Sequence, residues 1–171
     1  DSYALSGVKL FVPDAHVAGL LVVAARTLAD PDPAQGLTLF LVPAGSPGLA
    51  LTSLNTISSD RQSEVTLDQV RVPVSAVLGR VGGGWPVVRR ALQRAVAGKC
   101  MEMAGGAGAV LNMTVEYVKQ RTQFGRPVGS FQAVQHHCAN MATDVEGSRN
   151  IAYQAAWRVS EGLPADREVS M

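Results

Sequence analysis

The spacing of apolar residues changes once along this chain, near residue 80. Before that point Val, Leu, Ile and Thr gather in short runs: Tyr3–Val12, Val17–Arg26, Leu37–Val42, Leu49–Ile57 and Glu64–Val72. β-branched residues fit a pleated surface, so each run predicts a strand. Turn-forming groups separate them, such as Asp30-Pro31-Asp32-Pro33 and Pro43-Ala44-Gly45-Ser46-Pro47-Gly48. No helix-length segment lies between the runs. That favours an antiparallel sandwich or open barrel over βαβ units. Glu64–Val72 alternates, with Val65, Leu67 and Val70 or Val72 facing one way. Its phase changes near Gln69, which fits a bulge.

After Gly82-Gly83-Gly84 the spacing becomes helical. Val88, Leu92, Val96, Met103, Ala107, Val110, Leu111, Thr114 and Val118 form one stripe and predict a helix from about Trp85 to Gln120. A second stripe runs through Phe131, Val134, Cys138, Met141, Val145, Ser148, Ala152, Ala155 and Val159. Gly162-Leu163-Pro164 ends that helix, and a third starts near Ala165. The triglycine reads as a flexible joint between a β part and an α part. Gly105, Gly106 and Gly108 lie inside the first helix, at roughly 1 kcal/mol each relative to Ala. Either another helix backbone comes close there or the helix breaks, and the unbroken stripe favours close approach.

Composition narrows the function classes. A chain of 171 residues holds one ordinary domain or two small ones. Its net charge of +1 and the lack of any basic run beyond Arg89-Arg90 give no footprint for nucleic acid. No apolar run reaches the roughly 18–20 residues that a membrane-spanning helix needs. Cys100 and Cys138 fall among apolar neighbours on predicted helices and read as two buried thiols in a reducing cytoplasm. His136, His137 and Cys138 are adjacent, so on a helix they point about 100° apart and cannot converge on one metal ion. Neither glycine cluster has phosphate-loop spacing, and no serine sits in a GxSxG elbow. The chain does not start with Met and carries no signal or transit pattern, and it reads as an internal fragment.

The densest chemistry lies in Arg121–Gln135, RTQFGRPVGSFQAVQ, at the corner between the long helices. A guanidinium can hold a pair of phosphate oxygens through its planar fork. Glutamine amides can donate to and accept from a heteroaromatic edge. The same residues could instead make an ordinary corner, with Phe124 and Phe131 in the core and Arg121 in solvent. Arg126, which precedes Pro127 in the loop, reads as solvated.

This stretch resembles the segment that opens the C-terminal helical domain of acyl-CoA dehydrogenases and touches FAD across a subunit interface. The likeness extends to Asp1–Lys9 (DSYALSGVK), to Val65–Gly79 (VTLDQVRVPVSAVLG) and to the helix before Arg121, in the family's order. The resemblance implies an α+β chain: an antiparallel β-sandwich or barrel, residues 1–80 of a middle domain, then residues 81–171 of a four-helix domain. It implies FAD as cofactor, and oxidation of an acyl-CoA thioester to the 2,3-enoyl form in lipid catabolism. A Glu removes the α-proton while hydride passes to the flavin. Electron-transfer flavoprotein is the implied electron acceptor, and a dimer of dimers the implied assembly, homo- or heteromeric.

Carried over by residue, the resemblance sets Arg121 against the FAD pyrophosphate of the neighbouring subunit, with Thr122 and Gln123 close by. Phe131 and Gln132 match the pair lining the adenosine or pyrophosphate end. Lys9–Pro13 matches a strand lying against the flavin ring, where Phe11 replaces a common Trp and Val12 a common Ile. Three departures stand out. Pro13 sits where many members have a Thr that bonds flavin N5, and proline has no donor. Val96 replaces an Arg beside the substrate pocket, and Arg94 points about 200° away around the helix. No catalytic base is identified within these residues: most members supply it from a loop that would lie beyond Met171, where some place it the chain has Ala95, and Glu102, two turns on, reads as structural or solvent-facing. A non-catalytic FAD-binding subunit of a heteromeric dehydrogenase is therefore the alternative. A third reading is a dehydrogenase-like scaffold or nucleic-acid binder, and the near-neutral charge weighs against nucleic acid.

Overall fold

The computed structural model describes residues 1–32, 34–58 and 60–170. Pro33, in one predicted turn, lies outside them, as does Met171 at the end of the predicted helical domain. The chain forms two compact units, one over Asp1–Val88 and one beginning at Arg89.

The first unit is a sandwich of two open antiparallel sheets. Strands β1 (Ser2–Pro13), β5 (Gln62–Pro73) and β4 (Leu49–Leu54) form one sheet in that order. Strands β2 (Leu20–Arg26), β3 (Leu37–Pro43) and β6 (Val77–Leu78) form the other. Neither sheet closes on itself, so of the two predicted forms this is the sandwich. Leu5, Val23, Phe40, Val42, Val65, Leu67, Val70 and Val72 fill the space between the sheets. Phe40 is fully buried, with Tyr3 edge-on at 5.0 Å. The expected bulge is present. Leu5 pairs with Val70 and Gly7 with Leu67, so Asp68 and Gln69 together oppose Ser6. Gln69 adopts φ 52°, and its backbone and side-chain N–H groups both donate to Ser6 Oγ. This one-residue slip lets Val70 and Val72 rejoin the inward face of Val65 and Leu67.

Two strand ends differ from expectation because local hydrogen bonds take over. β2 begins at Leu20, since Val17 N–H donates to Asp14 O at 3.1 Å and holds a turn. β4 stops at Leu54, and Asp60 gathers the following loop by accepting from the Thr56 and Ser58 hydroxyls and the Gln62 amide. Those donors, Ser58 foremost, then Thr56 and Gln62, hold the Asp60 carboxyl down at about 2.

The triglycine is not the flexible joint that its composition predicts. Gly84 is buried and its N–H donates to Leu37 O at 2.8 Å, while Gly82 N–H donates to the buried Thr38 Oγ1 at 2.8 Å. A Cβ at Gly84 would lie 2.9 Å from Leu37 O. Glycine is there for close backbone approach to β3.

Helix α1 (Trp85–Gln120) runs unbroken for 36 residues, and α2 (Gln132–Ser160) for 29. The stripe predicted for α1 holds only in part: Val88, Leu111, Thr114 and Val118 are half-buried. Leu92, Val96, Met103 and Val110 are exposed, whereas Ala97, Ala104 and Gly108 are buried. α1 carries apolar groups on two faces, and small size rather than hydropathy selects the one turned inward. The expected close approach of a second helix backbone is not seen: a Cβ at Gly108 would meet only side chains, Arg149 Nη2 at 3.3 Å and Val145 Cγ1 at 3.8 Å, and one at Gly105 or Gly106 would meet nothing within 4 Å. The α2 stripe is as predicted except for Ser148, which is exposed. Gly162, at φ 67°, ends α2, with Leu163 N–H donating to Arg158 O at 2.8 Å in a Schellman arrangement. A short α3 (Asp166–Ser170) follows. Its Asp166 carboxylate accepts from Gln93 and Arg89 of α1, both at 2.9 Å; these contacts, Gln93 foremost, lower its pKa.

Candidate functional site

The corner after α1 folds as a miniature hairpin. Arg121 N–H still donates to Tyr117 O at 2.8 Å, closing the helix, and Arg121 O accepts from Val128 N–H at 2.7 Å. Between these, β7 (Thr122–Gln123) pairs with β8 (Arg126–Pro127), Gln123 opposite Arg126. The two turn residues, Phe124 at φ 53° and Gly125 at φ 78°, are both left-handed, the geometry of a type I′ turn. Gly125 adopts it freely, whereas a bulky residue such as Phe124 pays a steric penalty. Its ring nevertheless stands 91% exposed.

Phe124 meets Phe131 edge to face, with centroids 6.2 Å apart at 88°. Arg126 lies over the Phe131 ring at 4.1 Å. Sequence reasoning missed this stack and read Arg126 as solvated. The signal was the two-residue Phe-Gly turn, which puts position 126 on the strand leading into α2. The alternative of two phenyl rings in the core does not hold, because Phe124 is exposed and Phe131 half-buried.

Arg121, Thr122, Gln123 and Gln132 are all exposed. Among the described residues Arg121 has no ion pair or side-chain hydrogen bond, so its guanidinium is uncommitted. Phe131 is the N-cap of α2, no side chain caps it, and no acidic residue lies in the first turn. The positive end of that helix dipole is left for an anion. The loop behind is braced: Gln135 Nε2 donates to Gly129 O at 3.0 Å. A Cβ at Gly129 would lie 2.9 Å from Val118 O, a requirement the sequence did not reveal.

The second cluster belongs to the β unit. Lys9 pairs with Val65 and Val12 with Ser63, so Leu10 and Phe11 together oppose Glu64 in a second bulge. The bulge turns Phe11 to φ 55° with its ring 64% exposed, while Val12 packs against the core. Pro13 pairs with Gln62 at the end of an edge strand, where its missing N–H is tolerated. Ala95 and its neighbours Arg94 and Val96 are exposed, and Glu102 is tied to Lys99 at 2.7 Å on the surface. Cys100 and Cys138 are free thiols, half-buried rather than buried. Among the described residues no group of three His, Cys, Asp or Glu side chains could hold a metal, and no helix is long and apolar enough to cross a membrane.

Residues 1–70 match the family model for the acyl-CoA dehydrogenase middle domain, and residues 82–171 that for the C-terminal domain. The chain belongs to the acyl-CoA dehydrogenase family. It is 37% identical over 175 aligned residues to the short/branched chain specific acyl-CoA dehydrogenase, mitochondrial, of Bos taurus, covering all of this chain and 40% of that protein. An acyl-CoA dehydrogenase structure from Geobacillus kaustophilus superposes with a TM-score of 0.91 at 30% identity, over all of this chain and 46% of that one. PigA, solved with FAD and proline, gives 0.90 at 29%, over 99% of this chain and 45% of its own. The chain thus spans less than half the length of each of these proteins.

Proposed function

We propose that this chain supplies FAD-holding surface to an acyl-CoA dehydrogenase that oxidises an acyl-CoA thioester to its 2,3-enoyl form. The carrying observation is the uncommitted guanidinium of Arg121, at the start of the hairpin that leads into the uncapped N-terminus of α2, within the segment that matches the family's C-terminal domain. A pyrophosphate suits that pairing: the fork takes two oxygens and the helix end favours negative charge. In this reading Arg121, Thr122 and Gln123 hold the pyrophosphate of a neighbouring subunit's FAD, and Phe131 and Gln132 line its adenosine end. Phe11, Val12 and Pro13 form the strand lying against a flavin ring. When bound, FAD supplies the hydride acceptor.

Residues 1–80 serve as part of the middle β-domain and residues 81–171 as part of the helical domain. A cofactor shared across subunits calls for at least a dimer; a dimer of dimers is the proposed assembly, and electron-transfer flavoprotein the proposed acceptor. Two half-buried free thiols suit a reducing compartment such as the cytoplasm.

One specific observation favours a second reading. The position at which some family members place the base is Ala95, with no carboxylate on either side, and Pro13 cannot donate to the flavin. Both fit a subunit that binds FAD while a partner subunit carries the base, because α-proton removal needs a positioned carboxylate.

The test is flavin retention. Arg121→Ala is expected to raise the FAD dissociation constant about ten- to a hundredfold, the equivalent of one charge-assisted hydrogen bond. Arg121→Lys recovers only part, because it keeps the charge and loses the fork. Retention equal to wild type would remove Arg121 from the site.

A further inference from the structure

Two arginines flank the Phe-Gly turn, and the fold gives them different tasks. Arg121 is uncommitted, as described above. Arg126 is spent on a ring: its guanidinium carbon sits 4.1 Å from the Phe131 centroid, within the range in which a cation is attracted to an aromatic face. Phe131 also receives Phe124 edge-on, so two of its contacts come from one turn. The ring is the N-cap of α2, hence its orientation and the start of the helix are set together. Phe124 holds a left-handed backbone that disfavours a bulky side chain, and such strain persists where surrounding contacts over-determine it. The contact made by Phe124 is the edge-to-face pair with Phe131, which Arg126 backs from the ring face.

We propose that Arg126 is a positioning residue for the cofactor site: it fixes the Phe131 ring and through it the hairpin and helix start that present Arg121 and Gln132, without touching the cofactor itself. The inference rests on the reading of Arg121 and Phe131 as FAD-holding residues. A stack across exposed groups is worth a modest factor. Arg126→Ala is expected to raise the FAD dissociation constant two- to fivefold, to roughly the extent of an exposed cation–aromatic contact. Because Arg126 is exposed and makes one such contact, its replacement should lower the melting midpoint of the FAD-free protein by no more than that contact is worth.

The experiment measures FAD dissociation constants and FAD-free melting midpoints for wild type, Arg121→Ala, Arg126→Ala and Arg126→Lys. NMR of the FAD-free protein adds a direct reading of the stack. The Arg126 δ-methylene protons should be shifted upfield by the Phe131 ring, and Phe131→Leu should abolish the shift. Weaker FAD binding in Arg126→Ala, a midpoint lowered by no more than one exposed contact and substantial rescue by Lys support the proposal. Wild-type affinity in Arg126→Ala while Arg121→Ala loses FAD overturns it and leaves the Arg121 reading standing. Wild-type affinity in both variants overturns the Arg121 reading, and the proposal with it. A fall in midpoint well beyond the worth of one exposed contact, no rescue by Lys, or no upfield shift also overturns it.

Discussion

Gly84→Ala should destabilise the β unit strongly for so small a change. The added methyl would lie 2.9 Å from Leu37 O and 3.2 Å from Leu39 Cγ, one a backbone atom of β3 and the other a core side chain. Neither can swing away as a flexible surface side chain does, so the segment itself has to shift. Overpacking of this kind costs about 1–3 kcal/mol. The shift also strains the 2.8 Å hydrogen bond from Gly84 N–H to Leu37 O, worth about 0.5–1.5 kcal/mol. The sum is about 1.5–4.5 kcal/mol, which for a unit of this size lowers the melting midpoint by at least about 6 °C. Gly83→Ala is the control. Its Cβ meets only the Arg80 side chain, at 2.6 Å from Cγ, and that long side chain can move, so a change within about 0.5 kcal/mol is expected. Differential scanning calorimetry of the three proteins reads both. If Gly84→Ala melts with wild type, the triglycine is a free joint after all and the pinning argument fails.

Further outcomes follow from burial, spacing and titration. Phe40→Ala should cost about 3–5 kcal/mol in denaturant unfolding, since Phe40 is fully buried against Tyr3; Leu20→Ala, on an exposed position, should stay near wild type. Gly105→Ala and Gly106→Ala should each raise helix stability by about 0.5–1 kcal/mol, because nothing opposes the added methyl within 4 Å; a lower melting midpoint would show that something does. The Asp60 carboxyl carbon should titrate near 2 by NMR. Because its folded value lies below its ordinary 3.8, the stability it contributes is fully present above that value and is lost as pH falls through about 2. A midpoint at the ordinary value would dissolve the Thr56–Ser58–Gln62 cradle.

Period by itself located the elements. Alternation over Glu64–Val72 with a slip at Gln69 encodes a bulged strand, and the bulge lies there because only such a slip keeps Val65, Leu67, Val70 and Val72 on one face. The extent of α1 and the stop at Gly162 were equally legible, since helix length and termination are local properties of the chain. Arg121, Thr122, Gln123, Phe131 and Gln132 could be proposed together from the sequence because they lie within one short corner.

What the sequence could not decide was which groups meet. Hydropathy pointed to Leu92, Val96, Met103 and Val110 as the buried face of α1, yet Ala97, Ala104 and Gly108 turn inward. Gly82–Gly84 looked free by composition and is held against β3. Arg126 looked solvated and lies on Phe131. In each case the deciding quantity is a distance between groups that come together only when the chain folds back on itself, and neither residue type nor periodicity encodes it. The same sequence had already written the hairpin that makes the last of these contacts, in the two left-handed residues of its Phe-Gly turn.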